Sequence, residues 1–176
     1  MKNILAFAGS TSKHSINKKL VAYASSKINN VTVDLLDLND YSLPLYSVDL
    51  EASIGFPENA KALIAKIKAS DGIILSLAEH NGAYTAAFKN TFDWLSRMEQ
   101  KTFQNKAMLL MATSPGTRGG KSVLDIALDR FPRHQANIVA NFSLPSFYDN
   151  FKDGALVSET LNNVLTEKIA LLEKAI

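Results

Sequence analysis

A doubly wound α/β fold around a five-stranded parallel sheet is what this sequence predicts, and three observations predict it. Short apolar runs recur at Ile4–Ala8, Gly72–Leu77 and Ala107–Ala112, too short for helices and each followed by a turn cluster. Stretches of helical period separate the runs, so strand and helix alternate. The strand-like runs also sort by polarity. Val31–Asp37 is interrupted by Thr32, Asp34 and Asp37, and Asn137–Ser143 by Asn137 and Asn141, whereas the other three are apolar apart from Ser76. Strands buried on both faces read as continuous apolar runs, and edge strands tolerate polar residues. Strands two and five therefore belong at the edges.

The helices follow in order. Ile16, Leu20, Ala24 and Ile28 form a first stripe, and Ala60, Leu63, Ile64 and Ile67 a second, with Pro57 just inside its start. Tyr84, Phe88, Phe92, Leu95 and Met98 mark a third, and Leu124, Ala127, Leu128 and Phe131 a fourth. The last carries Leu161, Val164, Leu165, Leu172 and Ile176, with Ser158 as its N-cap. Edges at strands two and five give the order 2-1-3-4-5 of a flavodoxin-like three-layer sandwich. In that order ligands bind at the carboxyl ends of strands one and three, where the winding reverses. The segment Leu43–Phe56 is a long connection that covers a site or joins a second subunit.

At 176 residues and 19.2 kDa the chain suits one domain spanning residues 1–176. Nineteen Lys and Arg against 17 Asp and Glu leave a net charge of +2, which argues against a nucleic-acid partner. With no cysteine, the chain has no disulfide, iron–sulfur or thiolate-zinc chemistry and no cysteine nucleophile. No apolar run approaches the roughly 20 residues that cross a bilayer, so no membrane partner is expected. The apolar start is also shorter than the roughly 7–15 residues of a secretory core, and the expected location is cytoplasmic.

Three loops carry candidate chemistry. The first, Gly9 to Asn17, joins a buried strand to a helix and is rich in hydroxyls. A helix start offers unpaired N–H groups and partial positive charge, which suits a phosphate monoester; an ordinary polar turn with Ser15 as N-cap is the plainer alternative. The loop has a single glycine, too few for a dinucleotide fingerprint. The second, Leu77 to Tyr84, contains Asn81-Gly82, a turn signal or a close approach to a ligand. His80 suits a surface or stacking role, because only three histidines occur and no metal-ligand spacing is present. The third, Thr113 to Ser122, holds Gly116, Gly119 and Gly120. Its Gly120-Lys121-Ser122 imitates the end of a P-loop, but Pro115 stands where that motif needs glycine. Arg118 and Lys121 either meet a phosphate or are solvated. No Ser/His/Asp set falls on strand ends, so a bound ligand is expected to supply the chemistry.

These loops resemble those of the NADPH-dependent FMN reductase family. Gly9-Ser10-Thr11-Ser12-Lys13-His14-Ser15-Ile16-Asn17 is similar to its first loop, approximately Gly-Ser-x-Arg-x-x-Ser-x-Asn. Ala78-Glu79-His80-Asn81-Gly82, followed by Phe88-Lys89-Asn90-Thr91-Phe92-Asp93-Trp94, is similar to Pro-Glu-Tyr-Asn-Gly and its Leu-Lys-Asn-x-Ile/Leu-Asp-Trp helix. The resemblance implies FMN as cofactor and NADPH or NADH as co-substrate. It implies that Ser10, Ser12, Ser15, Ile16 and Asn17 hold the FMN phosphate. Glu79, His80, Asn81 and Gly82 would line the isoalloxazine ring, mainly through backbone groups, with Ser114 and Gly116 at its other edge. The chain departs from the pattern at Ser12 for arginine, Ala78 for proline and His80 for tyrosine, with Lys13 or His14 as substitute cations.

The expected reaction passes hydride from a nicotinamide to bound flavin and on to a small-molecule acceptor such as a flavin or quinone; the cofactor carries the chemistry and the protein supplies position. Two rivals remain: a flavodoxin-type electron carrier, and a flavin-free interaction module. NADPH oxidation by the holoprotein separates the enzyme from the carrier. The resemblance further implies a homodimer or homotetramer. Of Tyr84, Phe88, Phe92 and Trp94, either all lie in the core or some pack on another subunit.

Overall fold

The computed structural model describes residues 1–176. Five parallel strands, β1 (Lys2–Gly9), β2 (Val31–Leu36), β3 (Gly72–Leu77), β4 (Ala107–Thr113) and β5 (Asn137–Leu144), lie in the order β2-β1-β3-β4-β5. This is the expected order. β3 and β4 are buried along their whole length, while β2 and β5 keep exposed residues. Burial on both faces favours apolar residues along the strand, and an edge does not; Ser76 and Thr113, near the strand ends, are the buried polar exceptions.

Alternation along each strand divides the core in two. Leu5, Phe7, Ile73, Leu75, Met108 and Leu110 face one layer, built by helices α3 (Glu58–Ala69), α4 (Ala86–Met98) and α5 (Lys121–Arg130). Ile4, Ala6, Ile74, Leu109 and Met111 face the other, built by α1 (Ile16–Ser26) and α7 (Glu159–Ala175). Between β4 and β5 the register slips at Met108/Leu109, so that Met108 pairs with Ile138 but Leu109 with Ala140. Val139 is the extra residue of a β-bulge.

Local signals explain the helix ends. Ser158 Oγ accepts from Leu161 N–H at 3.3 Å and caps α7, as expected. Thr85 caps α4 by accepting from Phe88 N–H at 3.1 Å. Pro57 takes the N-cap position of α3 rather than its first turn, since the helix begins at Glu58. The long connection contains a helix of its own, α2 (Val48–Ile54), started by Ser47.

Two residues of the α4 motif hold that connection down. Asn90 accepts from Tyr46 N–H at 2.8 Å and donates to the Pro44 carbonyl at 3.0 Å. Trp94, fully buried, donates its indole N–H to the same carbonyl at 2.8 Å. Phe88, Phe92 and Trp94 are all in the core, leaving Tyr84 half-buried at its margin.

Candidate functional site

The carboxyl ends of β1, β3 and β4 meet at one open depression of about 220 Å³. Its lining brings together Ser10, Ser12, Ser15, Ile16 and Asn17 from the first loop, Glu79 and His80 from the second, and Ser114 from the third. Gly82 and Gly116 lie in the turns beside it. Side chains hydrogen-bonded to backbone groups of neighbouring loops hold these turns in place.

The first tie is Asn17, only 2% exposed. Its Oδ1 accepts from the Ser76 hydroxyl at 2.6 Å and from Thr113 N–H at 3.1 Å, and its Nδ2 donates to the Thr113 carbonyl at 3.2 Å. Thr113 Oγ1 in turn donates to the Leu144 carbonyl at 2.7 Å. The start of α1 is thereby clamped to the ends of β3, β4 and β5. The clamp uses the amide oxygen twice and one of the two amide N–H groups, and Asn17 also carries a backbone N–H in the first turn of the helix.

The second tie joins the first loop to the second. The Thr85 hydroxyl donates to the Gly9 carbonyl at 2.9 Å. Gly9 sits in a tight spot, where a Cβ would lie 3.0 Å from Leu77 and 3.1 Å from Phe88 and both side chains would have to shift. A third tie runs from Glu79, whose carboxylate accepts from Val123 N–H at 3.0 Å. A carboxylate at a helix start satisfies an orphan donor and complements the dipole, so the second loop is pinned to α5.

Each turn has its own geometry. Asn81 and Gly82 have φ of 52° and 76°, and Glu79–His80 pairs antiparallel with Ala83–Tyr84. Positive φ at both central residues is the type I′ hairpin turn that Asn-Gly favours. His80 is exposed at this hairpin. The third loop packs so tightly that a Cβ on Gly119 would lie 2.5 Å from Ser143 Oγ. At Gly116 the nearest atom to such a Cβ is Ser114 Oγ at 4.0 Å, leaving that side open to a ligand.

The donor set fits an anion at the start of α1. Ser15 Oγ accepts from Lys18 N–H at 3.2 Å, the N-cap role expected of it, and its own O–H remains to donate outward. The N–H groups of Ile16 and Asn17, in the first turn, have no carbonyl four residues back to bond. Ser10 Oγ accepts from Ser12 N–H, and Ser12 Oγ from His14 N–H, each at 3.3 Å, which shapes the loop around the same point. Lys18 is not among the available cations: it pairs with Asp37 at 2.6 Å. Burial works to raise the Asp37 pKa, but the Lys18 ammonium and Asn39 outweigh it and hold the carboxyl below its usual value. Lys121 is likewise engaged with Asp125 at 2.8 Å, and Arg118 with Ser122 at 3.0 Å.

Sequence reasoning missed Tyr148, which follows β5 on the short helix α6 (Phe147–Asn150) and closes one side of the depression. Its ring is 63% exposed. A lone exposed aromatic in an aperiodic segment gives no pattern to read. Only the pairing of Ser146 and Phe147 N–H with the Gly116 and Ser114 carbonyls, at 2.9 and 3.1 Å, brings it to the third loop.

Comparison with known proteins gives the chain its family. Residues 2–149 match the NADPH-dependent FMN reductase family. The chain is 31% identical over 118 residues to the quinone reductase of Escherichia coli K12, covering 66% of this chain and 62% of that one. It is 30% identical over 145 residues to an uncharacterised protein of Mycoplasma pneumoniae, covering 80% and 85%. Among solved structures, FerB, a flavoenzyme NAD(P)H:(acceptor) oxidoreductase from Paracoccus denitrificans, superposes with a TM-score of 0.77 at 24% identity over 99% of both chains, a likeness of fold. The chain therefore belongs to the NADPH-dependent FMN reductase family, whose members are FMN-using, NAD(P)H-dependent oxidoreductases.

Proposed function

We propose that the depression binds FMN and that the chain uses it to pass reducing equivalents from a nicotinamide dinucleotide to a small flavin or quinone acceptor. The observation that carries this reading is the meeting of three loops at the switch point: a hydroxyl-lined helix start faces a glycine hairpin and an open glycine turn across one depression. In this reading Ser10, Ser12 and Ser15 donate hydroxyls to the phosphate, alongside the N–H groups of Ile16 and Asn17. Lys13 or His14, exposed beside them, takes the place of an arginine at position 12.

At the other end, the Glu79–Gly82 hairpin and the Ser114–Gly116 turn border the ring through their backbones, and His80 offers a flat face for stacking. Bound FMN supplies hydride acceptance and donation. The chain needs no acid or base of its own for this; it orients the partners and aims backbone dipoles at the ring edge. In this reading the Ser114 and Gly116 N–H groups serve as those donors, since Pro115 has none. The relatives' flavin and quinone reductase names support the same acceptor class. By the same reading the enzyme works in the cytoplasm as a homodimer or homotetramer.

A comparison of FMN with riboflavin tests this directly. FMN should bind one-to-one and at least about 100-fold more tightly than riboflavin, because only FMN brings the phosphate that the α1 start is proposed to hold, worth about 2.7 kcal/mol. The FMN-loaded protein should then oxidise NADPH without a protein partner. Equal affinity for the two flavins overturns the phosphate assignment, and a holoprotein inert toward NADPH and NADH overturns the reductase reading in favour of a carrier.

A further inference from the structure

A second cleft, of about 500 Å³, opens beside the depression, and Tyr148 belongs to the lining of both. Pockets of this size accommodate small ligands. Lys19 and Tyr23 contribute from α1, and Phe147, Phe151 and Asp153 from the segment after β5. The aromatic wall is well fixed. Phe147 and Phe151 stack at 4.8 Å, and Tyr23 meets Phe151 edge-on at 5.5 Å. Tyr148 stands edge-on to Phe147 at 5.6 Å and leaves its ring open to solvent.

The N-terminal stretch that supplies α1 to this wall carries bases only. No acidic residue precedes Asp34, yet Lys13, Lys18, Lys19 and Lys27 all fall in this stretch. Lys18 is paired with Asp37, and Lys27 lies over the Tyr23 ring at 4.8 Å. Lys13 and Lys19 have no carboxylate within 4 Å, which leaves two unneutralised cations between the phosphate loop and the cleft. Asp153 is the one acid in the cleft lining. Lys19 sits one turn beyond Ser15 on α1, about 6 Å further along the axis.

We propose that this cleft holds the adenosine half of the nicotinamide dinucleotide, with Lys19 taking the 2′-phosphate that distinguishes NADPH from NADH. The inference rests on the reductase reading above. A dinucleotide whose nicotinamide reaches the flavin loops must send its other half along a wall of the depression, and this wall adjoins it at Tyr148, is aromatic, and offers Lys19 as a cation without a carboxylate partner. Tyr148 offers a flat face at the crossing point, where an adenine or ribose passes from one depression to the other. The enzyme therefore prefers NADPH to NADH.

Calorimetric titration of the FMN-loaded protein with 2′,5′-ADP and with 5′-AMP separates this proposal from the reading beneath it, because neither fragment carries a nicotinamide. The wild type should bind 2′,5′-ADP at least tenfold more tightly than 5′-AMP. Lys19→Glu should erase that difference, while Lys174→Glu, the same charge change at the far end of α7, should preserve it. In turnover, Lys19→Glu should raise KM for NADPH about tenfold and KM for NADH less than twofold. Tyr148→Ala should weaken both fragments. Equal binding of the two fragments by the wild type overturns the proposal, and so does a preference that Lys19→Glu leaves intact. If 2′,5′-ADP binds as proposed but neither dinucleotide is oxidised, the subsite stands and the reductase reading fails.

Discussion

Two parts of this molecule bury polar groups inside apolar surroundings, and they do it differently. At the strand ends, Asn17, Ser76 and Thr113 are almost wholly buried and satisfy one another. Beside α4 and α5, Tyr84 buries a hydroxyl with no partner and His134 buries an Nε2 with none. Both groups border a surface cleft of about 710 Å³ that also contains Lys89, Asp93 and Arg130. A satisfied buried network fixes geometry, and an unsatisfied group costs stability. The contrast places the rigid polar network under the candidate cofactor site and the unpartnered Tyr84 and His134 on the flank.

The most severe way to break this comparison is Asn17→Ala. It leaves the Ser76 hydroxyl and the Thr113 N–H buried without partners, and each orphan costs about 1–3 kcal/mol. Urea unfolding should show a loss of about 3 kcal/mol, and FMN should bind at least tenfold more weakly because the first and third loops are no longer tied together. A loss below about 1 kcal/mol would mean the network is no stiffer than the flank.

This clamp is also where sequence reading stops. Asn17 stood out as a polar residue at a helix start, but its partners are 59 and 96 residues away, and nothing local announces them. The sheet order, by contrast, was legible because burial on two faces writes itself into nearly every residue of β3 and β4, Ser76 and Thr113 near the strand ends excepted. Asn81-Gly82 signalled a turn, whereas the hairpin around it has strands of two residues and no period to detect. Helix α2 went unread for a related reason: none of its residues is buried, so it carries no apolar stripe. The Lys-Asn-x-x-Asp-Trp stretch marked the family, and the structure shows why those residues occur, with Asn90 and Trp94 fastening the connection and Lys89 pairing with Asp93 at 2.7 Å.

A milder substitution sharpens the comparison at the hairpin. Glu79→Ala removes the bond to Val123 N–H and should cost about 1 kcal/mol, with a rise of several-fold in the FMN dissociation constant. Glu79→Gln keeps an acceptor at the same place and should recover most of both effects. If Gln proves as damaging as Ala, the charge rather than the hydrogen bond holds the hairpin.

The smallest effect belongs to the flank and appears as pH dependence. His134 Nδ1 lies 3.0 Å from the Gln100 carbonyl, which fixes the proton on Nδ1 and leaves Nε2 as a bare acceptor. Burial, with Arg130 nearby, pushes the imidazole pKa below its ordinary 6.5 despite the Gln100 bond. Protonation therefore favours the unfolded chain. The contribution of His134 is fully present above pH 6.5 and falls as pH drops toward the folded-state value. Thermal melts between about pH 7.5 and pH 5 should show a decline that His134→Phe flattens. The same substitution should leave FMN affinity unaltered, and a shared loss would show that flank and site are one unit. Tyr84 stays uncharged throughout, because burial lifts its pKa to about 12.

The bulge at Val139 has a consequence for how this chain tolerates insertions and deletions. Before the slip, Ile138 faces the α3–α5 layer; after it, Ala140, Phe142 and Leu144 face α1 and α7. Removing Val139 would erase the bulge and keep Phe142 and Leu144 on their layer, whereas removing Asn141 would turn the outer half of β5 over and aim both at the wrong one. The same loss would draw in the segment that carries Tyr148. A single-residue gap, harmless in most surface loops, would here be read out at both the core and the edge of the binding site.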